Sequence, residues 1–149
     1  MKLYKKKFKL EQPFDFNQFA QMIDRNNFKT ALNGNWSANF IFDNTIVIDD
    51  VQNDGAVIDL YNFLENKYNR HKIKSDMHIF FSMSSGGKSI SHFDNYDVYI
   101  IGLHGKTLYR NNKEEHLVEE GDLLYVKKGE EHRAIGITPR IVASYAFYD

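Results

Sequence analysis

Hydrophobic and polar positions change their period along this chain. Over residues 15–25, Phe16, Phe19, Ala20 and Ile23 recur at helical spacing. This predicts an amphipathic helix with Asp15 as its N-cap. Over 56–68, Val57, Leu60, Tyr61, Leu64 and Tyr68 share one stripe and predict a second helix. Between them, NWSANFIF and TIVID read as two short strands split by Asp43-Asn44. From residue 76 the period falls to two. The runs MHIFFSM, SISHF, YDVYIIGL, KTLYR, HLVEE, DLLYV, HRAIGI and RIVASYAFY are separated by Gly, Asn and Pro turn signals. Many short strands at regular spacing predict an all-β sandwich or barrel behind a helical preface. The fold class expected is α+β dominated by β, in a single domain over 1–149, with the preface at 1–70 and the barrel at 71–149. Residues 1–10 alternate as well. They predict a strand with a lysine-rich side, best read as a charged edge that resists aggregation.

Composition narrows the chemistry. Hydrophobic residues make up 42% and aromatic residues 15% of the 149, enough for a packed core. A formal charge of -1 gives no reason to expect a nucleic-acid partner. The absence of cysteine excludes disulfides, thiolate zinc sites and thiol nucleophiles, so a metal would need His, Asp or Glu. No apolar run approaches the roughly 20 residues that span a bilayer, and MKLYKKKFKLEQ lacks the apolar stretch of a signal peptide. The expectation is a cytoplasmic protein without a membrane partner.

The segment Ser91-His92-Phe93-Asp94 carries the candidate chemistry. Side chains at i and i+2 share a strand face, with Cα atoms about 6–7 Å apart. An imidazole and a carboxylate at that spacing can bind one ion at about 2.0–2.2 Å. Phe93 is expected to point the other way, into packing. The best third ligand is His132, which opens a strand after a tight turn, a buried strand and a second turn. Two His and one carboxylate on one side of an ion leave three positions open, the facial triad of non-haem Fe(II) oxygenases. Of the other histidines, His104 and His116 read as turn and hairpin residues, His71 as solvated and His78 as a satisfied core residue.

Two motifs carry a family resemblance. Ser91-His-Phe-Asp-Asn-Tyr-Asp-Val-Tyr-Ile-Ile-Gly-Leu-His-Gly-Lys-Thr-Leu-Tyr-Arg110 and Glu120-Gly-Asp-Leu-Leu-Tyr-Val-Lys-Lys-Gly-Glu-Glu-His132 resemble the core of the JmjC-type 2-oxoglutarate oxygenases, in their ribosomal-oxygenase branch. The resemblance covers roughly residues 55–148. It implies a double-stranded β-helix of the cupin type, Fe(II) held by His92, Asp94 and His132, and 2-oxoglutarate as co-substrate in the hydroxylation of a C–H bond.

The chain departs from that pattern in three places. Thr107 stands where the family places a Lys or Arg against the distal carboxylate of 2-oxoglutarate. A hydroxyl can bond that carboxylate but not neutralise it. Arg140, after the turn at Pro139, can approach from another strand, ahead of Arg133 and Arg110. Lys127 replaces a proline before the second-motif glycine. The C-terminal regions that set dimerisation and substrate preference in the relatives have no counterpart before Asp149. Strand parity adds Tyr96, Val98 and Ile100 to the interior, and Ser82 and Ser84 can hydrogen-bond a bound acid.

The reading is therefore an Fe(II)- and 2-oxoglutarate-dependent hydroxylase of a small-molecule, peptide or protein substrate. The triad would hold metal, Thr107 or Arg140 the co-acid, and Tyr96 and Ser82 would shape the site. The alternatives are a metal cupin enzyme that needs no 2-oxoglutarate, and a non-catalytic binding module. Oligomeric state is open.

Overall fold

A computed structural model describes residues 1–9, 14–26, 28–30, 45–83 and 90–148. Its elements are β1 (Lys2–Tyr4), α1 (Phe16–Arg25), β2 (Phe28–Thr30), β3 (Thr45–Ile48), α2 (Ile58–Tyr68), β4 (Ser75–Ser82), β5 (Asp97–His104), β6 (Lys106–Arg110), β7 (Glu115–Glu119), β8 (Leu123–Val126), β9 (Arg133–Gly136) and β10 (Arg140–Phe147). They form a seven-stranded sheet in the order β1-β8-β5-β10-β4-β3-β2 and a three-stranded sheet in the order β7-β6-β9. Every strand pairing is antiparallel. This is the double-stranded β-helix that the two motifs implied.

Alternation along the strands divides the interior in two. On β10, Ile141, Ala143 and Tyr145 join Met77, Ile79 and Phe81 of β4 against the helices, contributing to an outer core with Phe19, Met22, Leu60 and Leu64. Val142 and Ala146 point the other way. With Val98, Ile100, Leu124 and Val126 they meet Tyr109 and Val118 of the smaller sheet in an inner core. Period two thus gives one strand two apolar faces, as a sheet buried on both sides requires.

The helices form for the expected reasons, with one exchange of roles. The Asp15 side chain accepts from the Gln18 amide at 3.0 Å and caps α1. Phe16, expected in the buried stripe, is instead 60% exposed, touching Phe81 only edge-on, while Met22 is fully buried. The stripe is rotated because Phe19 stacks face to face on Phe81 at 4.3 Å and fixes which side of α1 meets the sheet. In α2, Leu60 and Leu64 are buried as expected.

The N-terminal strand is shorter than the alternation over 1–10 suggested. It ends at Tyr4 because Lys6, with φ of 46°, turns the chain. The turn is held by Asp122, whose fully buried carboxylate accepts from the amides of Lys6 (2.9 Å) and Glu119 (3.0 Å) and from Lys5 Nζ (2.8 Å). The predicted strand over 35–42 lies outside the described residues. The one over 89–93 contributes a single bridge, at His92, from its described residues.

Candidate metal centre

The two motifs meet through their backbones before their side chains do. The His92 amide donates to the His132 carbonyl at 3.0 Å, and the His132 amide donates back at 2.8 Å. The turn before His132 is anchored to the same segment: the Gly129 amide donates to the Asp94 carbonyl at 2.9 Å, and the Lys128 amide to Asp97 Oδ1 at 2.8 Å. Gly129 sits at φ of 75°, in the left-handed region that glycine enters without a Cβ penalty. The turn closes from the Glu130 amide to the Lys127 carbonyl at 2.9 Å. It therefore forms with lysine where the resembling family carries proline.

These bonds bring His92, Asp94 and His132 together, with one ligand atom from each lying within 4.8 Å of the others. His132 Nε2 stands 3.7 Å from Asp94 Oδ2, and the two imidazole centroids are 4.5 Å apart. Donors at right angles around one ion, each bound at about 2.0–2.2 Å, are about 3 Å apart, so side-chain movement of about 1–2 Å closes the set. Each imidazole is also oriented for the task. His92 Nδ1 is 2.9 Å from the Ile90 carbonyl, and His132 Nδ1 is 3.0 Å from the Glu130 carbonyl. A carbonyl only accepts, so each Nδ1 carries the proton and each Nε2 keeps its lone pair for a ligand bond. His132 is buried, Asp94 partly so and His92 exposed, which grades the site from the barrel interior to solvent.

Phe93 does not pack inward as expected. It is 65% exposed, and Ile90 is 83% exposed. With only a one-residue bridge at His92, the face opposite the ligands meets solvent rather than a second layer.

The residues expected to hold a co-acid line the inner face between the sheets. Thr107 is 1% exposed and Arg140 5% exposed. Thr107 Oγ1 and Arg140 Nη1 have no hydrogen-bond partner among the described residues. Burial pulls the Arg140 pKa below its ordinary value, while the nearby Tyr109 acts in the opposite sense. Ser82 is directly opposite Arg140 on β4, fully buried, with its hydroxyl 3.5 Å from that of Thr45. Ser84 lies outside the described residues. Tyr96 packs against the inner core with Val98 and Ile100, its ring edge-on to Tyr148 at 4.7 Å. Burial foremost, and then the charge of Asp94, raise its pKa.

Other basic candidates are engaged elsewhere. Arg110 pairs with Glu115 at 3.0 Å and Lys106 with Glu119 at 3.0 Å, both on the outside of the smaller sheet. His78, expected as a satisfied core residue, is instead partly buried between Asp49 (3.0 Å from Nδ1) and Asp76 (3.1 Å from Nε2), and its Nδ1 makes no hydrogen bond among the described residues. One interior group escaped the sequence reading. Tyr109 is 5% exposed and shares a strand face with Thr107. The i, i+2 spacing of Thr107 and Tyr109 was the available signal.

The sequence matches no protein-family profile and no curated protein. Solved structures do match. The chain is similar to YcfD, a ribosomal oxygenase from Escherichia coli, in complex with cobalt and 2-oxoglutarate (TM-score 0.76, 19% identity). It is also similar to the same protein with cobalt and succinic acid (TM-score 0.75, 19% identity). In each case the match covers 99% of this chain and 47% of that one. The chain thus spans about half the length of these neighbours, and at this identity the likeness is one of fold: a cupin-type double-stranded β-helix in the form seen in a ribosomal oxygenase.

Proposed function

We propose that this protein is a cytoplasmic Fe(II)- and 2-oxoglutarate-dependent oxygenase. Its own residues would hold both groups. One observation carries the reading: a His-Asp-His set with both Nδ1 atoms facing carbonyls is built into the same barrel as a buried arginine whose Nη1 has no hydrogen-bond partner among the described residues.

His92, Asp94 and His132 would hold the metal. Fe(II) fits a two-imidazole, one-carboxylate set that leaves positions open. Arg140 and Thr107 would hold the distal carboxylate of 2-oxoglutarate. A buried guanidinium nitrogen without a partner is costly, and a carboxylate is the group that matches the guanidinium's charge and planar donors. The bound metal would supply activation of O2 coupled to oxidation of the co-acid. The chain's part is orientation. The Ile90 and Glu130 carbonyls keep the imidazoles in register, and the inner core of Val98, Ile100 and Val142 excludes water. Tyr96 and Ser82 would shape the pocket. The exposed Phe93 and Ile90 beside His92 suit a peptide or protein substrate, in keeping with the ribosomal oxygenase likeness.

The test is anaerobic titration with Fe(II) and then 2-oxoglutarate, followed by the visible charge-transfer band of the chelated co-acid. A band that is lost in His132→Ala supports the proposal. Iron binding without a band overturns the co-acid assignment in favour of a metal cupin of another kind.

A further inference from the structure

The net charge of -1 conceals an uneven distribution. Residues 1–10 carry five lysines, residues 66–75 carry Lys67, Arg70, Lys72 and Lys74, and neither segment contains an acid. The fold brings the two together. The Phe8 ring lies 5.4 Å from the ring of Phe63, one turn before Lys67 on α2. At the end of α2 the Tyr68 ring stacks on Tyr99 of β5 at 4.3 Å, and Tyr99 lies 5.1 Å from Tyr125 of β8. Strand register carries the row onto β1, since Tyr99 pairs with Tyr125 and Tyr125 with Lys2. Residues directly opposite in a sheet share a face. Tyr99 packs against the outer core, so the row lies on the side of the large sheet away from the inner core. Tyr4, Tyr68, Tyr99 and Tyr125 are all half-buried, while Lys2, Lys7, Lys9 and the four cations after Asn66 are exposed.

Rings rather than acids hold the cations here. Lys2 Nζ lies 5.1 Å from the Tyr4 ring centroid, and Lys67 Nζ lies 4.9 Å from that of Phe63 and 5.7 Å from that of Tyr68. Of the cations in these two segments, only Lys5 pairs with carboxylates among the described residues, with Asp122 at 2.8 Å and Glu119 at 3.7 Å. Exposed cations around a row of rings are complementary to an anion that brings planar groups of its own. An acidic peptide offers the charge without the π-faces, and a duplex keeps its bases stacked on one another.

We infer that this face binds single-stranded RNA, with phosphates on the lysines and Arg70 and unpaired bases against the tyrosine rings. Four of the rings are phenols, which can exchange hydrogen bonds with the ribose 2′-hydroxyl. The lysine-rich start of the chain is then a binding edge as well as a guard against aggregation. Its aromatic partners come from α2, β5 and β8. The inference makes no use of the metal centre and stands apart from the proposed function.

The experiment titrates a labelled oligouridine of about 12 nucleotides with the full chain, followed by fluorescence anisotropy between about 50 and 200 mM salt. Loss of one stacking ring should make Tyr125→Leu bind about tenfold more weakly. Loss of one phosphate contact in Lys67→Gln should reduce the slope of log affinity against log salt by about 0.7. Thermal melts verify both folds, and the exposed Lys67 keeps the test valid if the Tyr125 variant unfolds. No binding of oligouridine at the lowest salt overturns the inference, as does binding that neither variant alters. Polyglutamate bound as tightly as oligouridine overturns it in favour of an acidic peptide. Oligodeoxyuridine bound as tightly overturns the choice of RNA.

Discussion

His92 and His132 bond one another through both main-chain pairs, amide to carbonyl at 3.0 and 2.8 Å. The two motifs are thus paired mainly through their backbones, with Ser91 Oγ donating to Glu131 Oε1 at 2.8 Å beside them, and the His92 and Asp94 side chains stand outside the hydrophobic core. His92→Ala and Asp94→Ala should therefore abolish Mn(II) or Fe(II) binding while shifting stability by no more than about 0.5 kcal/mol, the usual range for side chains outside the core. Isothermal titration with metal, alongside thermal denaturation, checks this. Unfolding of either variant would show the cluster to be structural.

Arg140 should behave in the opposite way. Its guanidinium is buried, with Nη1 unpartnered among the described residues, and this opposes folding. Arg140→Met should hold or raise the stability of the free protein, by up to about 1–3 kcal/mol, while losing 2-oxoglutarate binding. Chemical denaturation and a ligand titration read the two effects. A strongly destabilised Met variant would mean that Arg140 serves packing instead.

Asp122 ties the N-terminal turn to the β7–β8 turn, and its bonds to Lys5, Lys6 and Glu119 hold its carboxyl below the ordinary range in spite of burial. The folded state therefore resists protonation more than the unfolded chain does. The stability gained is present above the unfolded value of 3.8 and is lost as pH falls through the lower folded value. Asp122→Ala should cost about 1–3 kcal/mol at pH 7, because it leaves two partly buried amides unpaired. Urea melts at pH 7 and pH 3 should show that cost shrinking in acid.

His78 titrates in the other direction. Asp76, then Asp49 and Asp50, raise its pKa above 6.5 against the effect of burial. The folded state holds the proton more tightly, so this contribution is complete below pH 6.5 and fades as pH rises through the folded value. His78→Gln should flatten the pH dependence of the melting temperature between pH 6 and 9. An unchanged slope would assign it to other groups.

The candidate site was more legible in the sequence than its surroundings. His92 and Asp94 are linked by the spacing of a single strand, and His132 by a turn-strand-turn run, all of it local pattern. The misplacements have a different origin. Phe16 and Met22 lie on adjoining arcs of α1, and only stacking of Phe19 on Phe81 decides between them. Phe93 was expected in packing because strand alternation assumes a second layer, and the one-residue bridge at His92 provides none. Tyr109 offers only its i, i+2 parity with Thr107, and an aromatic in a short strand usually signals core. Its relation to Arg140 depends on which strands face one another, which alternation does not encode.

The divided character of β10 has one more consequence. Even-numbered positions carry Arg140 and Val142 inward, and odd-numbered positions carry Ile141, Ala143 and Tyr145 toward the helices. A slip of one residue would exchange the two sets, driving a cation into the helix-covered core. The greasy outer positions thus act as a proofreader for the polar inner one. The chain cannot settle into its most stable packing without also aiming its arginine, so selection for a sound fold maintains the aim of the binding pocket as well.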